Sequence, residues 1–374
     1  PRADIGSGGR PLKFCAESTH RIWNGVTPAE GVERSVRLAV AADEAGFDSL
    51  WLSEDPDGWD AFATLGALAM RTTAIRLGPG VTSPYLRHPN LIAASVATLD
   101  RLSGGRAFLG LGRGQAEWFQ KALGMRAGSP LAALEATVRL LRQWWTPPHR
   151  ASDDGPFPVV DWGPTLPPVQ PTPGPPIYLA ATGPRTQTLA GRVADGVRFN
   201  ELASAAYLGE SVARVKAAAE HAGRDPDRLR FFAHPGITVT DRPEAALERK
   251  KAVIAIVHAL PGMERQLETP GFDIPAIMAE VRKAMRTDEV LRRGGSFADM
   301  RAAGDMKAAK AAIPTELVDR VAIVGTAASV AGRLRELAEL GVTHTFLNVG
   351  PWVDDPQELR SVVDEITSAN VGPA

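Results

Sequence analysis

Short apolar runs alternate with amphipathic helical patterns along most of this chain, and no other feature restricts its fold as much. Residues 12–16 have strand character. Thr27-Pro28-Ala29-Glu30 then form a capping box, in which the Thr hydroxyl and the Glu carboxylate each accept from the other's backbone amide and Pro fits the first helical position. Val32, Val36, Ala39 and Val40 give that helix one apolar face, and Gly46 is placed to end it. A strand over 47–52, a helix over 61–70, a strand over 75–81, a helix over 89–102 and a strand over 107–111 follow. Further strand patterns occupy 177–181, 196–199, 229–239, 321–324 and 345–349, and helix-length segments such as 327–340 fill most intervals.

Strands separated by helices build βαβ units on a parallel sheet. About nine of them in 374 residues favour an α/β chain closed as a (β/α)8 TIM barrel over an open doubly wound sheet, because that barrel usually takes a few hundred residues in one domain. The expected organisation is a flexible Gly- and Ser-rich tail at 1–11 and one barrel domain over 12–374. Two stretches exceed a minimal barrel. Residues 146–176 carry three Pro-Pro pairs and Asp153-Asp154-Gly155, and are expected as a long loop of the kind that serves function. Residues 261–314 show helical spacing at 274–285 and again around 298–312, and are expected as a helical insertion.

Composition removes several classes of function. A formal net charge of −1 offers nothing to a nucleic-acid backbone or an anionic membrane surface. One cysteine, Cys15, excludes an internal disulfide and suits a reducing compartment, so a cytoplasmic location is expected. There is no run of roughly 18 apolar residues to span a bilayer, and the first ten residues lack the apolar segment of a secretory signal. The seven His residues show no metal-ligand spacing. The run Gly110-Leu111-Gly112-Arg113-Gly114 misses the dinucleotide fingerprint at its last glycine, and neither a phosphate loop nor a serine-hydrolase elbow occurs. The chemistry is left to a bound cofactor or to carboxylates alone.

Two blocks carry a signal. The first runs from Leu77 to Gly114, and two of its strands end in glycine clusters, at Gly78-Pro79-Gly80 and at Gly110 to Gly114. Glycines there permit either a flat ligand against bare backbone or tight turns alone. The second is Ala180-Ala181-Thr182-Gly183-Pro184-Arg185, a strand end running into a helix start. Free amides at such a start suit a phosphate, with Arg185 as a charged partner; an ordinary turn with a surface Arg is the plainer alternative. Gly325-Thr326 is a weaker candidate for the same role.

The sequence Gly80-Val81-Thr82-Ser83-Pro84-Tyr85-Leu86-Arg87-His88-Pro89, followed by Ala97-Thr98-Leu99-Asp100-Arg101-Leu102-Ser103-Gly104-Gly105-Arg106 and by Leu109 to Gly114, resembles the luciferase-like flavin oxidoreductase superfamily. Within it the chain is most similar to the branch that uses the deazaflavin coenzyme F420, methylenetetrahydromethanopterin reductases among them. The likeness runs over 12–123 and resumes at 175–199 and 318–348. It implies a non-prolyl cis peptide at Gly80–Val81 under the cofactor ring and a cofactor phosphate near Thr182 to Arg185. The candidate cofactor contacts are Gly80, Val81, Thr82, Gly112, Arg113, Gly114, Gln115, Ala181, Thr182, Gly183, Pro184 and Arg185, with Arg113 chosen because a cation between glycines can reach an anionic tail. Many relatives dimerise through barrel helices, so a homodimer is the default by analogy.

Glu17, Glu54 and Asp55 stand at strand ends and are the candidate catalytic carboxylates. A carboxyl group beside an apolar ring can have its pKa raised enough to supply a proton; a helix cap or solvated loop is the alternative for each. Some relatives carry Asp-His where this chain has Glu54-Asp55, and those acting on sugar phosphates carry Glu where Gln115 stands. Both departures argue against a sugar-phosphate substrate and leave the proton donor unassigned. Trp23, Trp59, Trp118 and Trp352 are wall candidates or packing residues. Cys15 fits a small buried hydrophobe, and His88 a helix start beside the phosphate or a structural role.

The leading expectation is an F420-dependent oxidoreductase moving hydride to or from a C=C, C=N or C=O bond of a small molecule. The alternatives are an FMN-dependent monooxygenase supplied by a partner flavin reductase, a non-catalytic flavin-binding accessory protein, and a carboxylate-based barrel hydrolase.

Overall fold

Eight parallel strands follow one another around a barrel in the computed structural model, which describes residues 4–5, 12–19, 27–126, 128–163, 166–347 and 356–370. They are β1 (Leu12–Ser18), β2 (Ser49–Leu52), β3 (Arg76–Pro79), β4 (Leu109–Leu111), β5 (Ile177–Ala180), β6 (Gly196–Glu201), β7 (Arg230–His234) and β8 (His344–Phe346). Each pairs in parallel with the next, and β8 returns to β1 with Thr345 opposite Phe14. Isolated parallel bridges, Leu77 to Ala107 and Thr82 to Leu111, join β3 to β4 and close the cylinder. β2 is buried along its whole length because helices cover it outside and side chains fill it inside.

The helical boundaries follow the caps. Thr27 begins Pro28–Glu44 through the capping box with Glu30, and Gly46, at φ 80°, turns the chain back to β2. Asp60, Ser129 and Ser204 cap Ala61–Ala69, Pro130–Trp145 and Ala205–His221 by accepting from amides three residues on.

The barrel interior is layered. At the strand N-terminal ends, Asp48 receives Arg76 and Lys13, and His344 Nε2 lies 3.4 Å from it. An aromatic layer closes the middle: the Trp51 ring lies 4.5 Å from Phe108, 4.9 Å from Phe232 and 5.8 Å from both Tyr178 and Phe346. Cys15 completes that layer and Val81 packs on it. The barrel is therefore solid below its mouth.

Three segments differ from the sequence reading. Residues 146–176 are not one loop: Ala151–Asp153 and Val159–Trp162 pair as an antiparallel hairpin. The 321–324 pattern is no barrel strand, because Val321 ends the helix Thr315–Val321 and Val324–Gly325 pairs outside the barrel with Thr238–Val239. The helical layer after β7 starts before residue 261, at Pro243–Val253, continues through Ile254–His258 and Ile274–Met285, and buries its own apolar cluster around Ile254, Met278, Met285 and Leu317. The tail segments 1–3 and 6–11 lie outside the described residues, while Asp4–Ile5 pairs antiparallel with the start of β1.

Candidate active site

The C-terminal ends of the strands open into a cleft of about 1150 Å³, above the roughly 300–1,000 Å³ of a common small-molecule pocket and wide enough for a cofactor and a substrate together.

One wall is built by the turn after β3. The Gly80–Val81 peptide is cis. Backbone bonds from β4 hold this turn: Thr82 N donates to Gly110 O at 3.0 Å, and Gly112 N donates to Thr82 O at 2.9 Å. A Cβ at residue 110 would lie 2.2 Å from Pro79 O, and one at residue 112 would lie 2.7 Å from Val81 Cγ2. At these two positions glycine makes room for the neighbouring turn rather than for a ligand. Thr82 Oγ1 is buried with no hydrogen-bond partner among the described residues.

The same wall continues through Ala180, Ala181, Thr182 and Gly183. Gly183 caps the helix Pro184–Val193 without a side-chain bond, and a Cβ there would meet nothing within 4 Å. The first-turn amides of that helix have no intrahelical acceptor. Tyr207 Oη and Gln187 Nε2 donate to Thr182 O at 2.7 and 3.1 Å and fix the turn. Arg185 is exposed beside it.

The facing wall is charged. β7 lies four strands from β3 in either direction around the barrel, so His234 at its end stands across the mouth from Val81. Glu17 on β1 accepts from Arg198 Nη2 of β6, and His234 Nε2 lies 3.4 Å from Glu17 Oε2. His234 Nδ1 lies 3.9 Å from Glu201 Oε1, and its ring stacks on Phe346 at 5.2 Å. Arg198 covers the Trp51 and Phe346 rings at 5.8 and 5.1 Å. Burial alone would raise the Glu17 pKa, but the Arg198 guanidinium and His234 outweigh it and hold the carboxyl below its usual range. Burial alone would lower His234, yet Glu201 and Glu17 raise it above the ordinary imidazole value. Lys250, on the helix Pro243–Val253, is pushed down by burial against the opposing pull of Glu201.

Of the residues singled out in the sequence, Glu17, Glu54, Asp55, Gly80, Val81, Thr82, Gly112, Arg113, Gly114, Gln115, Ala181, Thr182, Gly183 and Arg185 line this cleft. Pro184 is not on its wall. Glu17 departs from the expected raised carboxyl, because two cationic groups contact it. Glu54 is buried and paired with Arg87 at 2.7 Å, and its Oε2 has no partner among the described residues. Gly325 and Thr326 are off the wall, and the Thr326 hydroxyl accepts from Ser329 N at 3.4 Å as a helix cap. Trp59 and Trp118 line the cleft; Trp118 Nε1 donates to Gly295 O at 2.8 Å and so ties the helical layer to the barrel. Trp23 and Trp352 lie outside the described residues. Cys15 is buried, with its thiol pKa raised by that burial, and His88 Nδ1 accepts from Asn90 N at 3.2 Å as a cap.

The sequence reading missed Arg198, Glu201, His234 and Lys250. Arg198 and His234 sit in or at the end of strands with apolar neighbours, Val197-Arg198-Phe199 and Phe232-Ala233-His234, which is the signal that picked out Glu17, while Glu201 ends its strand after polar Asn200. None of the described residues in 146–176 lines the wall, whereas Met263, Arg265, Phe297 and Arg301 of the later insertion do. Among the described residues no group of three or more His, Cys, Asp or Glu is placed to hold a metal ion, and no helix is long and apolar enough to cross a membrane.

The sequence profile of the luciferase-like monooxygenases matches residues 13–344. A 5,10-methylenetetrahydromethanopterin reductase from Methanolobus tindarius is 31% identical over 328 residues, covering 87% of this chain and 93% of the relative. An F420-dependent glucose-6-phosphate dehydrogenase from Nakamurella multipartita is 33% identical over 223 residues, 56% of this chain and 64% of its own. The solved coenzyme F420-dependent tetrahydromethanopterin reductase of Methanopyrus kandleri superposes with a TM-score of 0.73 at 22% identity, covering 96% of this chain and 99% of that one. A profile match over most of the sequence, a relative aligned nearly end to end and a shared barrel lead to one conclusion: the chain belongs to the luciferase-like monooxygenase family.

Proposed function

We propose that this protein is an F420-dependent oxidoreductase that moves a hydride between the deazaflavin and a small organic substrate bearing a C=C, C=N or C=O bond. The observation that carries the reading is the near end-to-end relationship to a methylenetetrahydromethanopterin reductase, and the cleft is compatible with it. The residues fit a flavin-type group on two counts. Thr82 Oγ1 is a buried, unpartnered polar atom on the wall where a polar ring edge would rest, and the Gly183 helix start leaves open space and free amides for an anionic arm.

In this reading Gly80, Val81 and Thr82 support the ring, with Gly112, Gly114 and Gln115 beside them, and Thr182 to Arg185 hold the phosphate with Arg113 near. Bound coenzyme F420 supplies or removes a hydride. The chain's own residues orient the substrate and handle one proton. Glu17 faces the cleft as a carboxylate that accepts a hydrogen bond from the substrate or passes it a proton. Glu54 and Asp55 are the further polar groups of that mouth. The protein acts in the cytoplasm as a homodimer, which size-exclusion chromatography with light scattering tests directly.

Fluorescence titration of the purified protein with coenzyme F420 and with FMN tests the cofactor assignment. Tight, saturable F420 binding with much weaker FMN binding is the expected result. Preferential FMN binding would transfer the chain to the monooxygenases that depend on a flavin reductase partner, and binding of neither would leave the accessory-protein and hydrolase alternatives.

A further inference from the structure

The sequence leaves the proton donor open, since Glu54-Asp55 replaces the Asp-His of some relatives. The structure places an imidazole elsewhere in the mouth, on β7. We propose that His234 holds the proton of the reaction and passes it to the substrate through Glu17, with Glu201 facing its other ring nitrogen. The assignment rests on the oxidoreductase reading above.

The geometry has three parts. His234 is enclosed, with 2% of its side chain exposed, while Glu17 and Glu201 are 23% and 26% exposed and open to the cleft. Its two ring nitrogens address two different carboxylates, at 3.4 Å and 3.9 Å. Nδ1 is buried with no hydrogen-bond partner among the described residues, so it is directed at Glu201 without being tied to backbone. The ring plane is fixed by its stack on Phe346.

Among the described residues, the charged and titratable groups facing this imidazole come from several elements. Glu17 comes from β1, and Arg198 and Glu201 come from β6. Lys250 approaches Glu201 from the helix above: an ideal Cβ on Gly236 would lie 3.0 Å from Lys250 Nζ and 3.6 Å from Glu201 Oε1. His258 bonds the Glu201 carbonyl through Nε2 at 2.8 Å, and its burial lowers its own pKa. Two carboxylates against one nearby guanidinium favour the imidazolium, and the raised His234 pKa has those two carboxylates as its cause. Arg198 meanwhile lowers the Glu17 pKa, so both shifts favour the imidazolium–carboxylate form of the pair.

The step balances. With coenzyme F420 bound, hydride delivered to the carbon of C=N or C=O would move the π electron pair to the heteroatom. That atom takes one proton from Glu17, which receives the Nε2 proton of His234. After product leaves, water in the cleft returns a proton through Glu17 to the vacant Nε2, while Nδ1 keeps its proton towards Glu201 throughout. Oxidation of an alcohol or amine runs the same path backwards. Acting through Glu17, His234 is a positioning and proton-holding residue, and Glu17 is the group that meets the substrate.

The test begins on the cofactor-free protein. Imidazole NMR titration should find His234 changing charge above the ordinary value of about 6.5, and at a lower pH in E17Q and in E201Q. A His234 that is neutral at pH 7 and insensitive to both substitutions overturns the proposal. In turnover with reduced F420 and 5,10-methylenetetrahydromethanopterin, H234Q should lower kcat by about 10²-fold, leave KM and F420 affinity within about threefold, and remove the alkaline fall in kcat. Unchanged kcat and pH profile in H234Q contradict it. If the wild-type protein binds no F420, the cofactor reading fails, and the NMR titration still decides the His234 assignment. Should H234Q not fold, E17Q and E201Q carry the same test.

Discussion

Gly112 lies so close to Val81 that a Cβ on it would sit 2.7 Å from Val81 Cγ2. Val81 is pinned from its other side by the Trp51 layer, so it has little room to give. We expect Gly112→Ala to cost about 1–3 kcal/mol in urea unfolding and to weaken cofactor binding by displacing Val81. A variant of unchanged stability and affinity would show that this wall yields.

Arg87 is the cation of Glu54, whose side chain is 7% exposed. Removing one partner of such a pair strands a charge in a poorly solvated place. Arg87→Met should cost about 3 kcal/mol, near the low end for buried pairs because Arg87 is partly exposed. Adding Glu54→Gln should recover part of the loss. A single-variant loss below about 1 kcal/mol would mean that water reaches Glu54.

The layer beneath the aromatic plug gives the fold a pH dependence. Burial pushes His344 down to about 4 against the pull of Asp48, while burial of Asp48 is outweighed by His344 and Arg76, which hold that carboxyl far below its usual range. A depressed folded pKa means that the unfolded chain binds the proton first. Stability contributed by His344 is therefore complete above pH 6.5 and is lost as the pH falls towards 4, by about 3 kcal/mol in all. Asp48 adds a further loss only below the ordinary carboxylate range. His344→Gln should flatten the slope between pH 6.5 and 4, as urea melts across that range would show, and an unaltered slope would place its origin elsewhere.

Arg185 is exposed beside an open helix start. Arg185→Ala should leave thermal unfolding unchanged and raise the Kd for coenzyme F420 about tenfold, the worth of one charge-assisted bond. Equal affinity in both proteins would put the phosphate elsewhere.

Much of the barrel is legible in the sequence because its cues are local. The Thr27–Glu30 box, the glycines after the helices and the apolar runs of β1 to β8 each depend on neighbours in the chain. The hairpin at 151–162 escapes that reading because Pro-rich flanks hide two short strands, and 321–324 misleads because its apolar residues serve a helix end and the insertion core. The site divides the same way. Glu17, Val81 and Thr182 are found from strand ends and a family likeness, whereas the Glu17–His234–Glu201 arrangement joins three strands far apart in sequence and exists only once the barrel closes. No local pattern shows that a carboxyl expected to be raised is lowered by a cation on another strand.

A crystal of this protein soaked in coenzyme F420 tests the central claim most directly. The account predicts ring density resting on Gly80 to Thr82, phosphate density at the Thr182 to Arg185 turn, and the opposite ring face turned towards Glu17. Density for the ring against the Glu17 and His234 wall, or a phosphate bound away from that helix start, would contradict it.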